Sequence, residues 1–294
     1  MDIGIKEIIA LALQASLFLL VLSLGLESRW SDVAHVLRRP ALLIRAVIAV
    51  NVIVPAVAVI MCLALPIAPW TRAGLVIMSV SPLAPFAPVK MLKGQAGRDY
   101  VIGTYVALMI AAVIVVPLTA VLLAPLTAQS VRMPIPVVVA FIVETVLVPL
   151  FIGVAVHRQW PSLGVRVAPT LRNGALAIVV PVALLILLRS AREFVGLIGD
   201  GTLAAIVVTV ASGLIAGYAL GGPDEANRKA LGEAAATRHP GLAVVIAELN
   251  FDDSRVLAAI VLYLFSSILF SIACGWALSE LKARPLRRAH APPQ

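Results

Sequence analysis

Apolar stretches, each about one bilayer long, alternate with short polar connectors along the whole chain. They lie at 4–26, 41–64, 73–89, 100–124, 135–156, 172–189, 201–220, 230–249 and 255–279. A helix needs about 20 residues to cross roughly 30 Å of hydrocarbon. Backbone groups in that layer find no water, so such runs are helical or are buried in protein. The pattern predicts an all-α polytopic membrane protein with nine transmembrane helices in a single domain over 1–294. The segment 282–294, with Arg284-Pro285 and Pro292-Pro293, reads as a short disordered basic tail on the cytoplasmic side.

Connector charge orients this plan. Arg29, Arg38, Arg39, Lys90, Lys93, Arg98, Arg158, Arg166, Arg172, Arg228 and Lys229 fall on one side, with the basic residues of the tail. That side holds 15 positive residues. The other holds 6: Lys6, Arg72, Arg132, Arg189, Arg192 and Arg255. Positive loops stay cytoplasmic, which places the N-terminus outside and the C-terminus inside. Lys6 is flanked by Asp2 and Glu7 and no cleavage site follows, so the first helix is expected to be retained. Cys62 and Cys274 fall near opposite membrane faces and cannot pair.

Composition narrows the classes. The 294 residues are 61% hydrophobic and 13% charged, about half the charge of a soluble domain. A soluble enzyme and a nucleic-acid binder are excluded. The net charge of +8 is mainly a topology signal. The bilayer is the partner this composition demands.

Two of the nine segments are not ordinary helices. Ser81-Pro82-Leu83-Ala84-Pro85-Phe86-Ala87-Pro88 repeats proline at every third position, and each proline removes a donor and crowds the preceding turn. Thr237-Arg238-His239-Pro240-Gly241 places a break and two ionisable residues near the middle of the eighth segment. The two breaks are five helices apart, so the segments run in opposite directions. Around them the pattern repeats in inverted order, with halves at about 1–127 and 170–281 and the fifth helix, 135–156, unpaired. Paired discontinuous helices in inverted halves point to a transporter's midplane site.

The residues at these breaks are the site candidates: Ser81, Pro82, Pro85 and Pro88 in the first, and Glu233, Thr237, Arg238, His239 and Pro240 in the second. Arg238 has five donors that suit carbonyls freed by the prolines or the carboxylate of Glu233. It is either a fixed cation joining the two breaks or half of a structural ion pair with Glu233 or Glu144. His239 is either a proton relay or a core histidine bonded to backbone. Glu144 lines a cavity, pairs with Arg238 or binds a proton. Asn51 precedes Pro55 by four, so its carbonyl loses its usual donor. Gln14 is a further cavity candidate, and Gly213 and Gly217 have the spacing of close helix packing. No metal-ligand spacing or catalytic set is visible, so no cofactor is expected beyond a coupling ion, Na+ or H+, left open.

The helix 8 stretch Pro240-Gly241-Leu242-Ala243-Val244-Val245-Ile246-Ala247, and Ser81-Pro82 through Val89 followed by Gly94 and Gly97, resemble the two crossover helices of the bile acid:sodium symporters and their bacterial relatives. The resemblance implies inverted repeats, a panel of helices 1, 5 and 6, and a core of the others. It also implies an organic anion carried between core and panel by alternating access. Sodium-coupled members carry Ser-Asn where this chain has Ala87-Pro88, and Glu, Gln and Asn where it has Ala234, Arg238 and His239. An arginine in that cavity repels sodium, which argues against sodium coupling by the family mechanism. The sequence reads as an inner-membrane secondary carrier of a small or amphipathic organic anion. The alternatives are a sensor or scaffold on the same fold and, third, a membrane-embedded enzyme.

Overall fold

A computed structural model describes residues 3–93, 95–123, 135–197 and 201–289. The described residues are mostly helical, without a strand among them. In chain order the helices are α1 (Ile3–Leu26), α2 (Trp30–Leu37), α3 (Pro40–Val47), α4 (Val54–Ala64), α5 (Pro69–Val80), α6 (Ala87–Lys93) and α7 (Arg98–Leu123). They continue with α8 (Ile135–Ile142), α9 (Val148–Gln159), α10 (Pro161–Leu197), α11 (Thr202–Leu220), α12 (Glu225–Ala236), α13 (Pro240–Asn250) and α14 (Ser254–Ala289). Two short π-helical segments, Ile48–Ile53 and Val143–Leu147, join α3 to α4 and α8 to α9. Six helices among the described residues are long and apolar enough to cross a membrane, or seven if the bent pair α1–α2 counts as one. The protein is a multi-pass membrane protein.

Element ends depart from the sequence reading where charge outruns the apolar run. The fifth connection, expected to carry Arg158, Arg166 and Arg172, shrinks to Trp160, because α9 and α10 continue through those residues. Pro161 opens α10 at a position that needs no N–H. The charged link after the first helix folds as α2, with Asp32 at its N-terminus accepting from the Arg29 N–H at 2.8 Å. Residues 282–289, expected to be disordered, continue α14, while 290–294 lie outside the described residues. Apolarity marks where a helix is in hydrocarbon and says little about where it stops.

Glycine sets the closest helix contacts. α1 packs against α9 and α10, α11 against α12 and α4, and α5 against α14. A Cβ on Gly153 would stand 2.6 Å from the Leu22 carbonyl, and one on Gly217 2.4 Å from that of Leu231. Only a residue without a side chain lets these backbones approach. The level of the α1 end is fixed by His157, whose Nδ1 lies 2.8 Å from the Leu26 carbonyl, and by Gly164 beneath the same oxygen. Glu27 then joins two neighbours, Arg98 of α7 at 3.2 Å and Arg172 of α10 at 3.4 Å. His35 of α2 adds a 2.8 Å contact to Asp99 of α7.

Gly217→Ala forces a methyl group into backbone atoms that have no room to retreat, and overpacking of this kind costs about 1–3 kcal/mol. A methyl group added at Gly174 would meet nothing within 4 Å. Thermal unfolding in detergent is expected to show a lower midpoint for Gly217→Ala and an unchanged or slightly raised one for Gly174→Ala.

Candidate functional site

Each broken helix is built from two half-helices and an extended joint. α5 ends at Val80, and its cap Ser81 turns to an extended conformation (φ −61°, ψ 144°) because Pro82 and Pro85 cannot continue the turn. The chain resumes as α6 at Ala87. In the second break α12 ends at Ala236, Thr237 and His239 are extended, and α13 starts with Pro240 at its first position. His239 caps α13, its Nδ1 accepting the Leu242 N–H at 3.3 Å. That acceptor role puts the ring proton of the neutral histidine on Nε2. Gly241 gives the ring its place, since a Cβ there would meet the imidazole at 3.0 Å.

The two joints meet. The His239 N–H donates to the Pro82 carbonyl at 2.8 Å. Beside it Arg238, only 1% exposed, donates through Nη1 to the Ser81 carbonyl at 3.3 Å and through Nη2 to the Val50 carbonyl. Both acceptors are free for the same reason. Pro85 withholds the donor that an α-helix would give Ser81. In the π segment each N–H pairs five residues back, so Pro55 withholds the donor of Val50. The sequence reading places the freed carbonyl of this helix on Asn51, and the π register extends it to Val50. The carbonyls at the end of α5 also carry the negative pole of that helix, which favours a cation there.

Other polar atoms gather at the junction. The Tyr263 phenol of α14 faces the guanidinium. Arg238 Nε, the Tyr263 hydroxyl, Asn51 Oδ1 and His239 Nε2 are buried without a hydrogen-bond partner. Glu233 does not reach Arg238. It pairs with Lys90 of α6 at 2.9 Å, and the Lys90 ammonium also approaches Thr237 Oγ1 at 3.4 Å. Thr237 donates in turn to the Glu233 carbonyl at 2.7 Å. Glu144 is exposed and has no ion pair with Arg238. Phe141 of α8 covers the His239 ring edge-on, with centroids 5.1 Å apart.

The structure thus brings Ser81, Pro82, Asn51, Arg238, His239 and Pro240 to one junction, with Pro85 acting through the carbonyl it frees. It sets Glu233, Thr237 and Lys90 beside it and leaves Gln14 and Glu144 on exposed faces. Pro88 stands inside α6 as a buried helix-starting residue. Sequence reasoning missed Val50, Tyr263, Phe141 and Lys90. Lys90 was legible in principle, because a half-helix starting at Ala87 carries it inward from the connector. Among the described residues no group of His, Cys, Asp and Glu could hold a metal ion.

Removing the guanidinium strands two buried carbonyls, each costing about 1–3 kcal/mol. Arg238→Met is expected to lower the thermal midpoint in detergent by an amount equivalent to about 2–5 kcal/mol. Adding Pro55→Ala returns an N–H to the turn beside Val50, so the double variant should recover part of that loss.

The chain matches the family described as the sodium bile acid symporter family over residues 15–211. The matched region holds the first joint and ends before α12, so Arg238 and His239 lie beyond it. A search of curated proteins gives no match. With about two thirds of its length matched, the chain belongs to the sodium bile acid symporter family.

Proposed function

We propose that the protein is a secondary-active carrier of a small organic anion, working by alternating access in the inner membrane. In this reading the chain crosses nine times, the N-terminus is outside and the C-terminus cytoplasmic. The halves 1–127 and 170–281 are inverted repeats, and the broken pairs α5–α6 and α12–α13 are the crossover helices. Family membership supports the transporter class. The loop-charge asymmetry supports the orientation. The observation that carries the mechanism is the direct junction of two extended joints inside a buried core.

Arg238 acts here as a fixed cation in place of a transported one. It binds the backbone carbonyls of two elements, which are hard oxygens of the kind that hold sodium. A second positive charge at about 4 Å would meet a repulsion of roughly 4 kcal/mol even at an effective dielectric constant of 20. Sodium coupling is therefore not used. His239 serves as a cap rather than a proton relay, since protonating Nδ1 would set a donor against the Leu242 N–H. The seam that opens is the one between α1, the continuous span α8–α9 and α10 on one side and the remaining helices on the other, with Glu27 and Arg98 holding it at the cytoplasmic end.

Organic acids that raise the thermal midpoint of the purified protein are to be tested for uptake into proteoliposomes. The expected rate is unchanged when potassium replaces sodium, and Arg238→Ala lowers it at least tenfold with insertion intact. Strict sodium dependence would defeat the fixed-cation mechanism. Absence of uptake for every stabilising acid would defeat the carrier reading.

A further inference from the structure

The packed spans α1, α8–α9 (through its π segment) and α10 expose Gln14, Glu144 and Asn173 at a similar depth. The levels of α1, α9 and α10 coincide where Leu26 meets His157 and Gly164. Counted from those residues at 1.5 Å per residue, Gln14 lies about 18 Å in, Glu144 about 20 Å and Asn173 about 14 Å. All three are exposed. In the proposed orientation the Leu26 end lies at a membrane face, and roughly 15 Å is half the hydrocarbon thickness, which puts these groups near the bilayer centre. A carboxylate there against lipid costs about 2.5–3.5 kcal/mol or more, and intramembrane groups of this kind face water or one another.

The backbone adds a second observation. The π segment Val143–Leu147 ends just before Pro149, which withholds the N–H that would pair five residues back with the Glu144 carbonyl. Glu144 thus presents both a carboxylate and a freed carbonyl. The corresponding freed carbonyl in the other π segment, at Val50, is taken by Arg238. Among the described residues no cation pairs with Glu144. One turn away Phe141 touches His239 and approaches Gly241, so this stretch of the helix adjoins the crossover.

We infer that Gln14, Glu144 and Asn173 form the wet wall of the substrate cavity, with Glu144 receiving an ammonium group. This rests on the carrier reading and deepens it: the transported organic acid also bears a protonated amine, and is a zwitterion rather than a simple anion. Arg238, buried at the junction, gives both Nη donors to backbone carbonyls. The amides at positions 14 and 173 supply hydrogen bonds beside the carboxylate.

Cysteine labelling in the full chain tests the wall without a known substrate. Cys62 and Cys274 are the two native cysteines, and replacing both with serine gives the background. Gln14→Cys and Asn173→Cys are then exposed to a trimethylammonium and a sulfonate methanethiosulfonate reagent, each rate normalised to that of a free thiol. Both positions are expected to react, with the cationic reagent favoured at least fivefold. Adding Glu144→Gln should bring that preference near one. Ile114→Cys, an exposed apolar position, should stay unreactive. Folding of every variant is checked by its thermal midpoint. Unreactive cysteines at 14 and 173 in folded protein would overturn the inference. So would equal labelling at 114, or a charge preference that survives Glu144→Gln. Uptake plays no part in this assay. A positive result beside failed uptake would therefore remove the carrier reading and leave the cation-accepting wall in place.

Discussion

A guanidinium held by carbonyls of two different elements is the interaction on which the rest of this structure depends. Arg238 takes the Ser81 carbonyl from one interrupted helix and the Val50 carbonyl from the helix beside it. Without that bridge three elements would meet with unpaired acceptors in the protein core, where water cannot substitute. The charge itself is tolerated because its surroundings are acceptor-rich and because α5 points its negative pole toward it. The prolines that create the acceptors and the arginine that consumes them form a single device spread over positions 50 to 238.

Much of the fold was legible in the sequence because hydrocarbon imposes a simple rule on backbone groups. Apolar length revealed the long helices, proline spacing revealed the first break, and an ionisable pair before Pro240-Gly241 revealed the second. The full extent of α10 was not legible, since helices continue into the charged zone once their backbone is already paired. α2 was hidden for a related reason. It is short and carries charges at the membrane face, and its hold on α7 comes from close backbone packing at Gly103 and from His35 meeting Asp99, contacts between residues far apart in sequence.

The site was legible in part, and the divide is physical. Residue type singled out Arg238 and His239, because ionisable groups rarely stand inside an apolar span. Partners could not be read the same way. Glu233 looked suited to Arg238 but pairs with Lys90. The acceptors of Arg238 are carbonyls, which every residue has and no letter code distinguishes. The Val50 carbonyl becomes available through the π register together with Pro55, and that register is a tertiary outcome.

One detail of the junction has a consequence for how firmly it is set. The His239 N–H reaches the Pro82 carbonyl, but Pro82 has no N–H to return. Two ordinary extended segments exchange bonds in both directions and can slip to an equivalent pairing. Here Pro82 and Pro85 on one side and Pro240 on the other delete donors that a slipped pairing would use. The contact is one-way and has few alternatives close in energy. The prolines therefore do more than interrupt helices: they lock the register in which the two strands of backbone meet.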